Sequence, residues 1–399
     1  MKLVEPIVAW QSEITAIRRD IHAHPELAFE EDRTSGIVAR QLESWGIETH
    51  RGLGVTGVVG VIRGKKPGDR ALGLRADMDA LPMQETNTFE HASTHPGKMH
   101  ACGHDGHTAM LLAAARHLAQ HPDFGGTVYV IFQPAEEGQA GALRMIDDGL
   151  FTRFPMEAVF GMHNWPGMPA GAFGLTAGPI MASSNTFHIT IEGKGAHGGM
   201  PHLGVDPVMA AVQMAQSFQT IISRELDPLD SAVLSITQIH AGSADNVIPN
   251  QAEMRGTVRT FSDTVLDLVE QRMGQIAQST AQALNCRAEF IFRRVYPPTV
   301  NHAAEAGFCA DVLKSLVGDE NVNQAVRPSM GAEDFSFMLR EKPGCYVWIG
   351  NGHGDHRTPG HGEGPCMLHN SSYDFNDSLI PLGASYWVEL ARRWLARPA

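Results

Sequence analysis

Three histidines, one cysteine and one aspartate fall within the eight residues His100–His107, which read HACGHDGH. A thiolate and an imidazole two residues apart, at Cys102 and His104, suit a borderline-soft divalent metal. The glycines of the segment allow the tight turn that would aim both side chains at one point. The alternative is a solvated turn, and Asp105 is a candidate N-cap of the following helix under both interpretations. The pattern favours a metal site.

Two adjacent glutamates, Glu136 and Glu137, follow the strand-like run Thr127–Phe132. Neighbouring carboxylates at the end of a buried strand repel each other unless a cation or a shared proton lies between them. A metal hydrolase can use such a pair, with one glutamate on the metal and the other holding the attacking water. The alternative is a pair of ordinary surface glutamates before a helix.

Two further histidines, each followed by asparagine, occur at His163 and His369. The first is predicted to end the strand that begins at Ala158, so consecutive strands would deliver a glutamate and a histidine to one edge of a sheet. Ligands collect at that edge in α/β proteins. Each signal is weak alone, and their combined placement is much stronger.

Other catalytic patterns are missing from the sequence. It contains no GxSxG elbow, no phosphate-binding loop, no GxGxxG after a strand and no HExxH helix. A thiol hydrolase built on Cys102 remains an alternative, but it leaves the glutamate pair and the extra histidines unexplained. A non-catalytic metal-dependent binding module is a second alternative, which the spare carboxylate beside the ligand disfavours.

The bulk composition excludes several classes of partner. The 399 residues carry a net charge of −13, which disfavours nucleic acid and anionic membrane surfaces. The five scattered cysteines indicate a reducing compartment rather than a disulfide framework. The first twenty residues lack an apolar signal-peptide core, and no apolar run is long enough to span a membrane. We therefore expect a cytoplasmic protein.

Strand and helix signals alternate through the first half of the chain, as in βαβ units. They predict a larger α/β domain with a mixed, mainly parallel sheet flanked by helices. The signals are strands at Val58–Arg63, Ala71–Arg75, Thr127–Phe132 and Ala158–Gly161, and helices at Thr108–Gln120 and Ala140–Asp148.

The pattern changes near Ser183 to strand, helix, strand, strand, helix, strand. Asp206 before Pro207 is a plausible N-cap for the first of these helices, Asp206–Ser223. We predict an inserted α+β sandwich, serving as a lid or dimerisation domain, at residues 184–294. The catalytic, metal-binding domain would then be discontinuous, formed by residues 1–183 and 295–399.

Eight short motifs occur in an order that resembles the zinc aminoacylase and carboxypeptidase family. More narrowly, they resemble its hippurate hydrolase and indoleacetyl-amino-acid hydrolase subgroup, over nearly the whole chain. The motifs are Leu74–Pro82 (LRADMDALP), His100–His107, Pro134–Gly138 (PAEEG), Gly161–Asn164 (GMHN), Gly195–Gly198 (GAHG), Asn246–Pro249 (NVIP), Gly331–Phe335 (GAEDF) and Leu368–Asn370 (LHN).

The resemblance implies a two-metal site in the larger domain, holding zinc, manganese, cobalt or nickel. Cys102 would bridge both ions, with Glu137 and His369 completing one and His104 and His163 the other.

The resemblance also implies roles for residues beside the metals. Glu136 would be the general base. Many relatives outside this subgroup use His-x-Asp as the first ligand pair, where this chain has Asp77-Met-Asp79, so the resemblance implies that His104 supplies the missing histidine. Asp77 is therefore not taken as a ligand, while Asp79 keeps a place from which it could orient a ligand or the base.

In the inserted domain, the resemblance implies that His197 stabilises the oxyanion and that Asn246 binds the substrate near its carboxylate. Arg255 and Arg259 lie four apart on one strand and so share a face. Either arginine would suit a substrate carboxylate, and both could equally be solvated.

The implied activity is metal-dependent hydrolysis of N-acyl amino acids, such as hippurate-like, N-acetyl or aryl-acyl conjugates. A dipeptidase or carboxypeptidase of the same core is the alternative. The resemblance also implies a homodimer or homotetramer assembled through the lid domain.

Overall fold

The computed structural model describes residues 1–397. Its strands are β1 (Glu48–Leu53), β2 (Gly57–Arg63), β3 (Lys66–Asp77), β4 (Gly125–Gln133), β5 (Ala158–Pro166), β6 (Phe173–Gly174), β7 (Gly178–Met181), β8 (Ser184–Glu192), β9 (Ala196–His197), β10 (Ala232–Ala241), β11 (Val247–Ile248), β12 (Gln251–Thr260), β13 (Arg287–Tyr296), β14 (Thr299–Asn301), β15 (Val322–Asn323) and β16 (Gly344–Gly352). Its α-helices are α1 (Glu5–Ala9), α2 (Gln11–Ala23), α3 (Asp32–Ser44), α4 (His104–Gln120), α5 (Glu136–Gln139), α6 (Gly141–Asp147), α7 (Leu150–Arg153), α8 (Pro207–Thr220), α9 (Asp263–Ala283), α10 (Ala303–Val317), α11 (Phe335–Glu341) and α12 (Ile380–Leu395).

The chain divides into two compact units. The larger unit comprises Met1–Ile180, Val300–Arg327 and the segment from Asp334 onward. The smaller unit comprises Met181–Thr299 and Pro328–Glu333. Among residues 1–397, no helix combines the length and the apolar character that crossing a membrane requires.

The larger unit contains an eight-stranded sheet in the order β1-β2-β4-β3-β5-β16-β6-β15. The central strands β4, β3, β5 and β16 are parallel neighbours, while β1 and β2 add antiparallel strands at one side. The prediction of a mixed, mainly parallel sheet is confirmed. Strand β2 (GVVGVIR) is buried along nearly its whole length, as expected for a sheet covered on both faces.

Helices α4 and α12 are buried on almost every side, because their apolar residues are not confined to one stripe. Helix α4 begins four residues earlier than predicted, at His104, and its N-cap residue is Gly103 in the left-handed conformation. The prediction that Asp105 caps this helix is wrong. The carboxylate of Asp105 instead lies 2.8 Å from both Arg18 Nε and His22 Nδ1, because a fully buried guanidinium requires a buried anion.

Strand β5 continues to Pro166, beyond its predicted end at the Gly161–Asn164 motif. His163 therefore lies within the strand rather than at its end. The cause is the parallel partner β16, which pairs with β5 along its length and places Trp348 opposite His163. Pairing with a distant strand is not visible in the local sequence.

The smaller unit is a two-layer sandwich with an antiparallel sheet in the order β10-β12-β8-β13. Alternate residues of β8, including Phe187 and Ile189, join Met214 of α8 and Val269 of α9 in its core. The predicted N-cap of α8 is confirmed, because Asp206 Oδ1 accepts the main-chain N–H of Val208 at 2.9 Å.

Candidate metal centre

Four segments of the larger unit bring five potential ligands together. The five ligands are Cys102 and His104 on either side of Gly103, Glu137 after β4, His163 in β5, and His369 in the loop before α12. The ligand atoms of Cys102, His104 and His163 all lie within 4.8 Å of one another, and so do those of Cys102, Glu137 and His369. Cys102 is common to both groups, which is the arrangement that the resemblance implies.

The buried imidazole of His104 has a defined tautomer. Its Nδ1 lies 2.9 Å from the main-chain oxygen of Asp79 and 3.2 Å from the Asp79 carboxylate. A carbonyl oxygen only accepts, so Nδ1 carries the proton and Nε2 keeps its lone pair when the ring is neutral. Nε2 is buried and has no hydrogen-bond partner among residues 1–397. A buried ring nitrogen that no protein group in the described chain hydrogen-bonds fits a metal ligand, provided that the ring loses its Nε2 proton on binding.

In His163, as in His104, Nδ1 is hydrogen-bonded to a main-chain oxygen. Its Nδ1 donates to the main-chain oxygen of Asn164 at 2.6 Å, and its Nε2 lies 3.3 Å from Cys102 Sγ. Burial, together with the charge of His107, holds the pKa of His163 well below its ordinary value. The ring is therefore neutral, as a metal ligand must be.

The Cys102 thiol lies in an anionic environment. Burial first, and then the charges of Glu137 and Glu136, raise its pKa well above the ordinary value. A thiolate nucleophile would be destabilised here, which argues against the thiol hydrolase alternative. A divalent cation among these donors would reverse the effect, because it would stabilise the thiolate and both carboxylates at once. The donor set fits a cation.

Glu137 and His369 approach each other from two strained segments. Glu137 Oε1 lies 3.2 Å from His369 Nε2. His369 itself has a φ of 59°, and Ala135, two residues before Glu137, has a φ of 54°. Left-handed backbone is unfavourable for non-glycine residues and is concentrated at functional sites. The main-chain N–H of His369 donates to Ala101 at 2.8 Å, which ties this loop to the Cys102 segment.

Glu136 is buried beside this group. One of its carboxylate oxygens lies within 4.8 Å of the ligand atoms of His104 and Glu137. The structure therefore brings the predicted base next to the predicted ligands. Asp79 contacts both of these predicted ligands. It hydrogen-bonds to His104, and its Oδ2 accepts the main-chain N–H of Glu137 at 2.9 Å.

Asp77 uses both of its carboxylate oxygens in the protein interior. They lie 2.6 Å from His107 Nδ1 and 2.7 Å from Arg75 Nη1. Burial opposes ionisation, but His104, Arg75 and His107 together hold the pKa of Asp77 well below its usual range. Asp77 is thus an internal counter-ion.

Asn164 connects several parts of the site, and the sequence analysis gave it no role. Its side-chain amide donates to Cys102 O at 2.7 Å and accepts the Tyr373 hydroxyl at 2.8 Å. Its main-chain N–H donates to His107 Nε2 at 2.9 Å. The repeated His-Asn pair was the only signal in the sequence. A buried amide whose donors and acceptors are used in this way orients the ligand segments on both sides.

In the smaller unit, His197 and Asn246 are neighbours. Strand β9 pairs with β11, which places Val247 opposite His197, and Gly198 N–H donates to Asn246 O at 2.7 Å. His197 and Asn246 are both exposed in this unit. The two lid residues that the resemblance assigns to the substrate are therefore adjacent in this unit.

Arg255 and Arg259 line one groove of about 530 Å³ on the helix-free face of the four-stranded sheet. The two arginines differ in their partners. Arg255 Nη2 pairs with Glu253 at 3.1 Å. Arg259 is only partly exposed, no carboxylate among residues 1–397 pairs with it, and burial lowers its pKa. Of these two arginines, Arg259 is therefore the one whose guanidinium is available to an incoming anion.

Residues 73–393 of the chain match the model of Peptidase family M20/M25/M40. The chain is 41% identical to a hippurate hydrolase of Campylobacter jejuni, over 99% of this chain and all of that protein. It is 38% identical to an N-acetylcysteine deacetylase of Bacillus subtilis, over 96% of this chain and 97% of the relative.

The fold is also shared with solved structures. The YXEP protein of Bacillus subtilis, described as a dinuclear metal-binding peptidase, superposes with a TM-score of 0.83 at 35% identity. The superposition covers 97% of this chain and 99% of that one.

Proposed function

Because this chain belongs to peptidase family M20/M25/M40, we propose that it is a metal-dependent amidohydrolase that cleaves N-acyl amino acids to a carboxylic acid and a free amino acid. One observation carries the proposal: two groups of metal-compatible donors share Cys102, and the carboxylate of Glu136 lies beside them. The hippurate hydrolase and the deacetylase among its relatives support this substrate class.

Cys102, Glu137 and His369 would hold one divalent ion, and Cys102, His104 and His163 the other. Zinc, manganese, cobalt and nickel are the candidate ions. The thiolate and imidazole donors favour the later metals of this series, and the carboxylate also suits manganese. When bound, such ions polarise an amide carbonyl and lower the pKa of water.

Glu136 is proposed as the general base. Its carboxylate would accept a proton from the attacking water and return it to the leaving amine, so that one residue acts as base and then as acid. Its neighbour Glu137 serves as a ligand, so the pair divides two tasks. This division explains two adjacent glutamates better than a binding module does, since binding alone requires no second carboxylate beside the ligand.

His197 and Asn246 are proposed to contact the substrate, with His197 stabilising the developing oxyanion and Asn246 lying near the substrate carboxylate. Of the two lid arginines, we propose that Arg259 binds that carboxylate, because no acidic residue in the described part of the chain pairs with it, whereas Arg255 already pairs with Glu253. Assembly into a homodimer or homotetramer stays a prediction.

The test is release of free amino acid by purified protein from hippurate, N-acetyl amino acids, indoleacetyl conjugates and one dipeptide. Each substrate is assayed with chelator and after adding back manganese, zinc, cobalt or nickel. We expect metal-dependent release from N-acyl substrates, and the ranking identifies the acyl preference. Preferential cleavage of the dipeptide would favour the peptidase alternative. Metal-loaded, folded protein that cleaves nothing would refute the proposal.

A further inference from the structure

The segment that carries Glu136 and Glu137 has an unusual main-chain conformation. Ala135 has φ 54° and ψ 43°, and Ala140 has φ 56° and ψ 48°. Left-handed backbone costs a non-glycine residue roughly 1–2 kcal/mol, so two such alanines within six residues require strong external contacts. The contacts that hold them determine where the two glutamate side chains point.

Glu31 supplies one of these contacts. It is fully buried, its Oε1 accepts the main-chain N–H of Ala135 at 2.9 Å, and its Oε2 accepts the Thr56 hydroxyl at 2.6 Å. Among residues 1–397 no cation forms an ion pair with Glu31, and burial, opposed in part by the Thr56 hydrogen bond, raises its pKa to about 7. A buried carboxyl group without a cation is costly, which indicates that the two hydrogen bonds it accepts are needed at this position.

Asp334 supplies a second contact at the other end of the segment. Its Oδ2 accepts the main-chain N–H of Ala142 at 2.9 Å, and both of its oxygens accept from the Gln133 amide, at 2.8 and 2.9 Å. Its own main-chain N–H points to Glu136 Oε1 at 3.4 Å. Arg75 balances its charge, with Nη2 at 3.1 Å.

We propose that Glu31 and Asp334 are positioning residues that hold the Gln133–Ala142 segment from both ends and so aim Glu136 at the scissile amide. The inference rests on the proposed role of Glu136 as general base. Neither residue belongs to the proposed ligand or substrate-binding set. Glu31 accepts a hydrogen bond from the main-chain N–H of Ala135, the residue directly before Glu136. A small shift of the Glu31 carboxylate therefore moves the main chain that carries the proposed base. Misplacement of a catalytic group by about 1 Å can cost about 100-fold in rate.

Two substitutions of Glu31 distinguish the effect of its side-chain length from the effect of its charge. E31Q keeps an acceptor oxygen at the same distance and removes the charge, while the Thr56 hydroxyl can turn to accept from the new amide. E31D keeps the charge and withdraws the acceptor by one methylene. T56V is the matched control, because it removes the other partner of the same carboxylate and leaves the bond to Ala135.

Each variant is measured for kcat, KM, bound metal and amide hydrogen exchange of residues 133–142. We expect E31D to lower kcat about 10- to 100-fold, with KM and metal content within about threefold of wild type and faster exchange in this segment. We expect E31Q and T56V to stay within about threefold of wild type in kcat and to keep the slow exchange.

A merely structural role predicts a different pattern. E31D with wild-type kcat and wild-type exchange overturns the proposal, and so does E31Q impaired more than E31D, since charge rather than reach would then matter. Loss of metal in parallel with kcat also overturns it. If the wild-type protein cleaves no substrate, the proposed function fails, while the exchange measurements still decide whether Glu31 holds the segment.

Discussion

Asp79 joins His104 to Glu137. Its main-chain oxygen lies 2.9 Å from His104 Nδ1, and its Oδ2 accepts the main-chain N–H of Glu137 at 2.9 Å. One buried aspartate thus defines the ring orientation of a proposed ligand of one ion and the main-chain position of a proposed ligand of the other. Residues that bind no metal often decide whether the ligands converge, and Asp79 has that position here.

The role of Glu136 is tested by E136Q. The variant retains the size of the side chain but cannot accept a proton from water, so we expect turnover to fall about 10²- to 10⁴-fold while bound metal stays unchanged. Turnover assays and elemental analysis of the dialysed protein measure the two quantities. E137Q is the comparison, and we expect it to lose metal as well. An E136Q enzyme with wild-type activity would refute the assignment.

Metal binding is expected to release protons. Burial and the nearby carboxylates raise the pKa of the Cys102 thiol, and the anionic groups Asp77 and Asp79 outweigh burial in raising that of His104 to about 10. Both groups are protonated near neutral pH in the metal-free protein and must lose a proton to bind. Apparent affinity should therefore fall as pH falls. Calorimetry in two buffers of different ionisation enthalpy measures the release, which we expect C102S to reduce. Release equal to wild type would contradict this explanation.

Arg255 and Arg259 are predicted to differ in their effect on substrate binding. R259Q should raise KM for an N-acyl amino acid roughly 10- to 100-fold, because a hydrogen bond to a charged group contributes about 1.5–3 kcal/mol. R255Q is the matched control on the same strand and should change KM less than about threefold. A parallel series with the substrate carboxylate amidated should show no difference between wild type and R259Q. Equal effects of the two substitutions would contradict the prediction.

Gly103 is predicted to be irreplaceable for metal binding. Its φ is 89°, and an added Cβ would lie 2.3 Å from Asn164 Nδ2 and 2.4 Å from the Tyr373 hydroxyl. G103A should therefore displace Cys102 and His104 and weaken metal binding at least tenfold in a chelator competition assay. Gly97 is the control, since it has a φ of 77° and nothing within 4 Å of an added Cβ. G97A carries the backbone strain alone and should bind metal normally.

His22 is predicted to make stability depend on pH. Burial opposes its ionisation, but the Asp105 ion pair and the Glu85 hydrogen bond raise its pKa to about 9, with Arg18 acting weakly against them. A pKa raised above the unfolded value of about 6.5 gives stability that is complete below pH 6.5 and is lost as pH rises to 9. The shift corresponds to at most about 3–4 kcal/mol.

Thermal unfolding of metal-saturated protein from pH 6 to pH 9.5 tests this dependence. We expect wild type to lose stability across the range and H22Q to start less stable but change less. H202Q, at an exposed histidine of the smaller unit, should follow wild type. An H22Q protein with the wild-type decline would show that other groups are responsible.

Local signals in the sequence were sufficient to predict the class of the fold and the identity of the clustered donors. Strand and helix periodicity, the Asp206 cap and the glutamate pair after β4 are signals within a few neighbouring residues, so they can be read locally. The motif order, through its resemblance to a family, assigned Cys102 to both ions. The structure then brought all five predicted ligands into two groups that share Cys102.

The tertiary structure alone decided which buried groups hold these donors in place. Asp105 pairs with Arg18 rather than capping its helix, Glu31 reaches Ala135, and Asp334 reaches Ala142. These partners are about 90 to 190 residues apart in the chain. Local propensity carries no information on such pairs. They form only when strands and helices pack, because a polar group removed from water must then find a partner wherever the fold places one.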